Sequence, residues 1–389
     1  MSTLIHSVRL VDAGRVIDDA WVRFDDGRVA ANGIGEGWRG HAQPYDVIVD
    51  GDEVAGAGAV LTPGFIDIHG HGGAGESYDD GPEAIRTSRA LHRVHGTTRA
   101  VVSLVTAPLE VMERRAAMVA DLAVTDADIL GSHLEGPFLD AGHHGAHDAT
   151  LLRQPDPAAV QRLLDAGRGT VRQVTLAPEL PGGLEAIRMI VAAGTAAAVG
   201  HTGADSAATA AAFDAGATIL THAFNAMPGL HHRHPGPVGA AAADPRVTLE
   251  VIADGVHLHP DIVRIAFAAA PGRIALVTDA MAAAGHTDGR YELGSLGIDV
   301  VDGVARVSGG GAIAGSTLTQ DAALRRTVNA GVRLVDAVAA LTATPARAIG
   351  RGDDLGSLAA GFTADAVLLT RALEVRSVWT AGIGYGGPP

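Results

Sequence analysis

Between residues 64 and 279 the chain alternates short apolar runs with longer stretches in which apolar residues recur every three or four positions. The short runs are GFIDIH, TRAVVSL, DILGSHL, VRQVTLA, AAAVGH, ATILTH, VTLEVIA and RIALVTD. Their length and their content of Val, Ile and Thr suit strands buried on both faces. The longer stretches, among them PEAIRTSRALHRVHG, LEVMERRAAMVADL, PAAVQRLLDAG, LEAIRMIVAAG and HPDIVRIAFAAA, carry the helical period. Eight such strands alternating with helices predict an α/β fold, a closed parallel (β/α)8 barrel rather than an open sheet.

The two ends have another texture. Residues 1–60 contain SVRLVD, RVIDDAWVRFDDGRVAANG and YDVIVDG, short β segments with Asp-Gly turns, and the tail has FTADAVLLT and EVRSVWTAG. We expect residues 1–60 and 350–389 to fold together as a small β-sandwich module, with 61–349 forming the barrel.

Chemistry falls at the C-terminal ends of the barrel strands, where this fold places active sites. Strand one runs into His69-Gly70-His71, strand three into His133-Leu134-Glu135, strand five into His201, strand six into His222 and strand eight into Asp279. Strands two and four end in Ser103 and Glu179, read as ordinary loop groups. In a strand, residues i and i+2 face the same way, so His69 and His71 can converge on one ion. Glu135 follows an apolar strand and precedes Gly-Pro, where a carboxylate is costly to desolvate unless a cation or donor meets it. Four histidines and two carboxylates at one rim are hard to explain as packing. An aspartate in the place of Asp279 can take a proton from water and return it to a leaving group.

Composition narrows the chemistry. The chain is 47% hydrophobic and 19% charged, with a formal net charge of −15 and no basic stripe, which disfavours nucleic acid and anionic membranes as partners. Without cysteine there is no disulfide, thiolate metal site or cysteine nucleophile. All 29 basic residues are arginine, so Schiff-base chemistry and metal bridges through a carboxylated lysine are excluded. The first residues, MSTLIHSVRLVDAG, lack the pattern of a signal peptide, and the expected location is the cytoplasm.

With these residues in view, the chain resembles the N-acetylglucosamine-6-phosphate deacetylases of the amidohydrolase superfamily. The resemblance runs almost end to end, through PGFIDIHGHGG, HLEGPFL, GAHD, GHTGA, THAFNAMPGLHHRHPG, IADGVHLHP, VTDAM and AGSTLT. It implies one or two divalent metal ions per subunit, zinc first and iron, manganese or cobalt as alternatives. Glu135, His201 and His222 would hold the principal ion, and His69 and His71 a second. It also implies Asp279 as acid/base and His147 near the reacting carbonyl, with Ala146, Asn225, Ala226, Ile313, Ala314 and Gly315 lining the sugar-phosphate pocket. Arg233 and His257 would bind phosphate, contributed to the neighbouring active site of a homodimer. One segment departs from the family pattern: the loop before GAHD carries Asp140-Ala141-Gly142-His143-His144 where a basic side chain is common, and we expect both histidines to be solvent-exposed.

The expected reaction is hydrolysis of the acetamide of N-acetyl-D-glucosamine 6-phosphate to D-glucosamine 6-phosphate and acetate. The same cleavage of N-acetylgalactosamine 6-phosphate is the nearest alternative. A cyclic amidase is disfavoured by the missing lysine, and an inactive sugar-phosphate-binding barrel by the completeness of the constellation.

Overall fold

A computed structural model describes residues 2–40 and 45–388. The N-terminal alternation produces β1 (Ser2–Asp12), β2 (Arg15–Asp25), β3 (Arg28–Ile34) and β4 (Val47–Asp50), then helix α1 (Gly51–Ala55) and β5 (Val60–Pro63). The first barrel strand is β6 (Phe65–Asp67), followed by a small hairpin of β7 (Gly72–Gly73) and β8 (Glu76–Ser77). Then come α2 (Pro82–Val94), β9 (Thr97–Val105), α3 (Leu109–Thr125), β10 (Ile129–Glu135), α4 (Pro157–Ala166) and β11 (Val171–Leu176). They are followed by α5 (Gly183–Ala192), β12 (Ala196–Val199), α6 (Ser206–Asp214), β13 (Ile219–Leu220), α7 (Gly236–Ala243), β14 (Thr248–Ile252), α8 (Pro260–Ala269) and β15 (Ile274–Val277).

These strands form one sheet in the order β15-β14-β13-β12-β11-β10-β9-β6, the order of the chain, as a barrel requires. The ring closes where the Asp279 N–H donates to the His69 carbonyl at 2.8 Å and the His71 N–H to the Ala280 carbonyl at 2.7 Å. Parallel register sets Glu135 opposite Thr175 and Val105, and Val199 opposite Leu220. The residues that follow therefore emerge on one rim.

After β15 the barrel pattern is interrupted by an antiparallel sheet of β16 (Gly289–Leu293), β17 (Leu296–Val301) and β18 (Val304–Val307). The count of eight strands does not anticipate it. Leu293, Ile298, Val300 and Ala305 bury their side chains with Val105, Met281, Ala283 and Ala314. The chain continues through α9 (Gln320–Asn329), α10 (Leu334–Leu341) and α11 (Ala343–Ala348) to β19 (Ala366–Leu369), β20 (Val375–Thr380) and β21 (Ile383–Gly386). The terminal strands join in the order β21-β20-β19-β5-β1-β2-β3, with β4 on β1.

The chain divides into two compact units, one of Met1–Asp67, His92–Arg99 and Gln320–Pro389, the other of Ile68–Leu91 and Ala100–Thr319. In the first, Phe24, Leu61, Leu368 and Trp379 share a core, and Arg99 meets Asp365 in a buried two-pronged ion pair at 2.6 and 2.8 Å. The second contains every site candidate. Among the described residues no helix is long and apolar enough to cross a membrane.

One glycine matters directly to the rim. Gly136 has φ +91°, and a Cβ there would stand 2.2 Å from the Thr106 hydroxyl, which donates to the Glu135 carbonyl at 3.0 Å. Gly136→Ala should cost roughly 1–3 kcal/mol from backbone strain alone. The check is the thermal unfolding midpoint, which should fall; an unchanged midpoint would mean that the turn relaxes around a methyl group.

Candidate active site

The side chains at the rim are held by unusual backbone. His201, His222 and Asp279 adopt φ of +47°, +27° and +47°, a region that costs a non-glycine residue about 1–3 kcal/mol. Phe224 and Ala226 follow at +78° and +48°. Strain of this kind survives only where surrounding contacts over-determine it, and it gathers at functional sites.

Those contacts centre on Glu135, which is 3% exposed. Its Oε1 lies 3.1 Å from His201 Nε2, 3.3 Å from His222 Nε2 and 3.3 Å from His69 Nε2. Its Oε2 lies 3.1 Å from His71 Nε2 and 3.5 Å from His147 Nε2. Asp279 Oδ1 faces His71 Nε2 at 3.3 Å and His69 Nε2 at 3.5 Å. The Nε2 atoms of His201 and His222 are only 2.9 Å apart, and those of His69 and His71 3.3 Å. Lone pairs converging at such distances suit a shared cation. Two donor groups fall within 4.8 Å internally, His69 with His71 and Asp279, and Glu135 with His147 and His201.

His147 differs from the others. The Thr106 N–H donates to its Nδ1 at 3.4 Å, which leaves the proton of the neutral ring on Nε2. His147 therefore presents a hydrogen-bond donor, whereas a metal ligand needs a free lone pair. Its position beside Glu135 suits contact with a substrate oxygen better than ligation.

The electrostatics follow from burial and like company. Burial opposes the charged form of His69, but Glu135, Glu250 and Asp279 outweigh it and hold its pKa well above the ordinary histidine value. Against the same burial, hydrogen bonds to Asp279 and Glu135 push His71 up to about 9. His201 moves the other way, down to about 4, because burial outweighs its bond to Glu135. Glu135 and Asp279 are both held below the usual carboxylate range, since His69 and its neighbours overcome the burial that would raise them.

A supporting layer lies below the rim, and sequence reading largely missed it. Glu250, on β14, accepts from Gln173 Nε2 at 2.8 Å and lies 2.9 Å from His69 Nδ1. His133 stands between the Ser103 hydroxyl at 2.9 Å and the Thr175 hydroxyl at 2.7 Å, with its pKa pushed well down by burial and by His69. Ser103 also accepts from the Gly70 N–H at 3.1 Å. Glu179 accepts from the Gly203 N–H at 2.6 Å and so fixes the loop after His201. The one visible signal was a charged residue inside the apolar run VTLEVIA.

Above the rim lies a cavity of about 390 Å³. Its walls include His71, Glu135, His147, His201, His222 and Asp279, with Ala146, Asn225, Ala226, His257, Ile313 and Gly315 from the expected set. Ala314 is fully buried behind them, and Arg233 lies exposed, outside the lining. His257 was expected to serve a neighbouring subunit, but it lines the cavity of its own chain. Asp254 fixes it there at 2.7 Å and raises its pKa against the effect of burial. The expected solvent exposure of His143 and His144 is also corrected. Both are half-buried; His143 Nδ1 meets Asp140 at 2.7 Å, its carbonyl lies 3.0 Å from His201 Nδ1, and His144 Nδ1 meets the His147 carbonyl at 2.7 Å. The loop is short enough to fold back onto its own rim histidines.

Comparison with known proteins agrees with this geometry. Residues 60–383 match the model of the amidohydrolase family. The N-acetylgalactosamine-6-phosphate deacetylase of Escherichia coli O157:H7 is 38% identical, with 98% of this chain and 99% of that one covered. The N-acetylglucosamine-6-phosphate deacetylase of Vibrio furnissii is 37% identical, with 83% and 82% covered. Among solved structures, an aspartate-to-alanine variant of N-acetyl-D-glucosamine-6-phosphate deacetylase from Mycobacterium smegmatis, in complex with N-acetyl-D-glucosamine-6-phosphate, superposes with a TM-score of 0.91 at 42% identity, covering 98% of this chain and 99% of that one. The chain belongs to the amidohydrolase family.

Proposed function

We propose that the protein hydrolyses the acetamide of N-acetyl-D-glucosamine 6-phosphate, giving D-glucosamine 6-phosphate and acetate. The observation that carries this reading is the convergence of two donor groups on Glu135 at the floor of a sugar-sized cavity. Imidazole and carboxylate donors without sulfur fit a divalent ion, zinc first, with iron, manganese or cobalt as alternatives. Glu135, His201 and His222 would hold the principal ion, with His69 and His71 available to a second. When bound, the ion supplies Lewis acidity that makes water nucleophilic and the acetyl carbon electrophilic at neutral pH.

Asp279, held ionised by its surroundings, accepts a proton from the attacking water. The water oxygen adds to the acetyl carbon while His147 Nε2–H donates to the acetyl oxygen, a contact of the kind worth roughly 2.7–4 kcal/mol. The C–N bond then breaks, and Asp279 returns its proton to the departing amine. His257, whose protonated form Asp254 favours, offers a counter-charge for phosphate from within the chain. Arg233 stands outside this cavity, so its guanidinium would reach a phosphate only from a partner subunit; we propose a homodimer on that ground. A second reading, cleavage of N-acetylgalactosamine 6-phosphate, is favoured by the name of the 38% identical relative.

Acetate release from both 6-phosphorylated sugars, with and without a chelator, tests the proposal. We expect chelator-sensitive release, with the larger kcat/KM for the gluco epimer. A larger value for the galacto epimer selects the second reading, and no chelator-sensitive release from either overturns both.

Asp279→Asn should retain the ion at Glu135, His201 and His222 and lose about 10²–10⁴-fold in kcat, the typical weight of a general acid–base. Near-normal turnover would remove Asp279 from the mechanism.

Chelated protein should show a defined pH response. The folded-state pKa of His71, near 9, lies above its unfolded value, so its protonation contributes stability fully present below about pH 6.5 and lost as pH rises toward 9. His69 shifts in the same direction. The unfolding midpoint of chelated protein should therefore fall between pH 6.5 and 9, and added metal should restore it by replacing the lost protons. Differential scanning fluorimetry in matched buffers reads both; a midpoint that rises across this window contradicts the charge assignment.

A further inference from the structure

Glu250 takes no part in the proposed reaction, yet it is fully buried below the rim. Three nitrogen atoms meet its two oxygens. Oε2 lies 2.9 Å from His69 Nδ1 and accepts from the His222 backbone N–H at 3.2 Å, while Oε1 accepts from Gln173 Nε2 at 2.8 Å. Its own backbone carbonyl accepts from the Ala223 N–H at 2.8 Å. One residue thus grips the ring of His69 and both peptide N–H groups at the strained turn that presents His222.

The other rim histidines are held differently. Nδ1 of His71 and Nδ1 of His222 have no hydrogen-bond partner among the described residues, and Nδ1 of His201 faces the His143 carbonyl. Among these four only His69 has a carboxylate at hydrogen-bond distance from its Nδ1. A ring nitrogen can bind a cation only through a free lone pair. Nε2 of His69 faces Glu135 and Asp279, so an ion held between these groups would take its lone pair and leave the ring proton on Nδ1, where only an acceptor can receive it. Glu250 supplies that acceptor, and a carboxylate in this place also raises the donor strength of the imidazole.

We propose that Glu250 is the positioning residue of the metal centre: it fixes His69 with its proton on Nδ1 and its Nε2 free, and through the His222 N–H it couples the two donor groups. This rests on the metal-dependent reading above. It makes Glu250 the residue that governs whether the His69/His71 position fills.

Glu250→Leu keeps most of the bulk and removes both acceptors. Glu250→Gln retains one oxygen for His69 and His222, because the unpartnered Gln173 Oε1 can turn to receive the new amide N–H. Zinc content and affinity should be measured on the purified proteins by elemental analysis and by competition with a chromophoric chelator. We expect Glu250→Leu to weaken the His69/His71 ion by about 10–100-fold, the usual cost of losing such a support, with Glu250→Gln recovering part of that loss. Wild-type affinities in folded Glu250→Leu protein overturn the proposal. A wild-type protein that binds none of zinc, iron, manganese or cobalt instead defeats the metal-dependent reading itself, so the two failures are distinguishable. Should the leucine variant not fold, ¹⁵N-histidine NMR of zinc-loaded wild type decides: a protonated Nδ1 on His69 is expected, and an unprotonated one overturns the assignment.

Discussion

The arrangement depends on one buried carboxylate. Glu135 is removed from water and surrounded by the Nε2 atoms of five histidines, none more than 3.5 Å away. A desolvated anion of this kind needs positive charge close by, and imidazoles can provide it in only two ways. They hold protons, as the raised pKa values of His69 and His71 describe, or they turn their lone pairs to a shared cation. The two states compete for the same atoms, and metal loading and protonation are thereby linked. His201, pushed down to about 4, is already in the neutral form that ligation requires.

Holding such a cluster demands stiffness, and the barrel supplies it by unusual means. The interior of this fold is commonly filled with layers of branched aliphatic side chains. Here the layer beneath the rim contains Ser103, His133, Gln173, Thr175, Thr221 and Glu250, joined by hydrogen bonds of 2.7–3.5 Å. Hydrogen bonds are directional, so this layer fixes ring orientations that aliphatic packing would leave free. The positive φ angles of His201, His222 and Asp279 persist under this control. The framework offsets the backbone strain and returns it as placement of the three side chains.

How much of this was legible in the chain follows from the range of each interaction. Strands and helices were readable because burial on both faces of a parallel sheet leaves unbroken apolar runs, and each run recognised in the sequence corresponds to a barrel strand. The rim was readable because His69, His71, Glu135, His201, His222 and Asp279 terminate those runs, and the structure brings them together. Glu250 was hidden because a single charge in VTLEVIA looks like an outward-facing residue until the register turns it inward. The half-burial of His143 depends on a loop folding back to His201, a contact of 58 residues' separation that no local pattern encodes. The inserted sheet alternates correctly in YELGSLGIDVV, but a barrel count gives no reason to look for it.

The division between strand ends and loops also bears on substrate choice. Apart from His147, which a loop supplies, the atoms that would perform the hydrolysis sit at the ends of strands or just beyond them, fixed by register and by the layer below. The remaining walls come from outside that framework: Gly142, His143, Gly145–His147, Asn225–Met227, His257, Leu293, Ala312, Ile313 and Gly315. Loops tolerate change that a strand register does not. Two family members can therefore share a mechanism and differ over one inverted hydroxyl, as the galactosamine and glucosamine names of the relatives illustrate. The phosphate is constrained more tightly by composition. With 29 arginines and no lysine, the cationic side chains this chain can offer a dianion are guanidinium and imidazolium. Guanidinium and imidazolium are both directional, planar donors. On the proposed reading they would fix the distance between phosphate and acetamide, which would place the scissile bond over Glu135 whichever epimer occupies the walls between them.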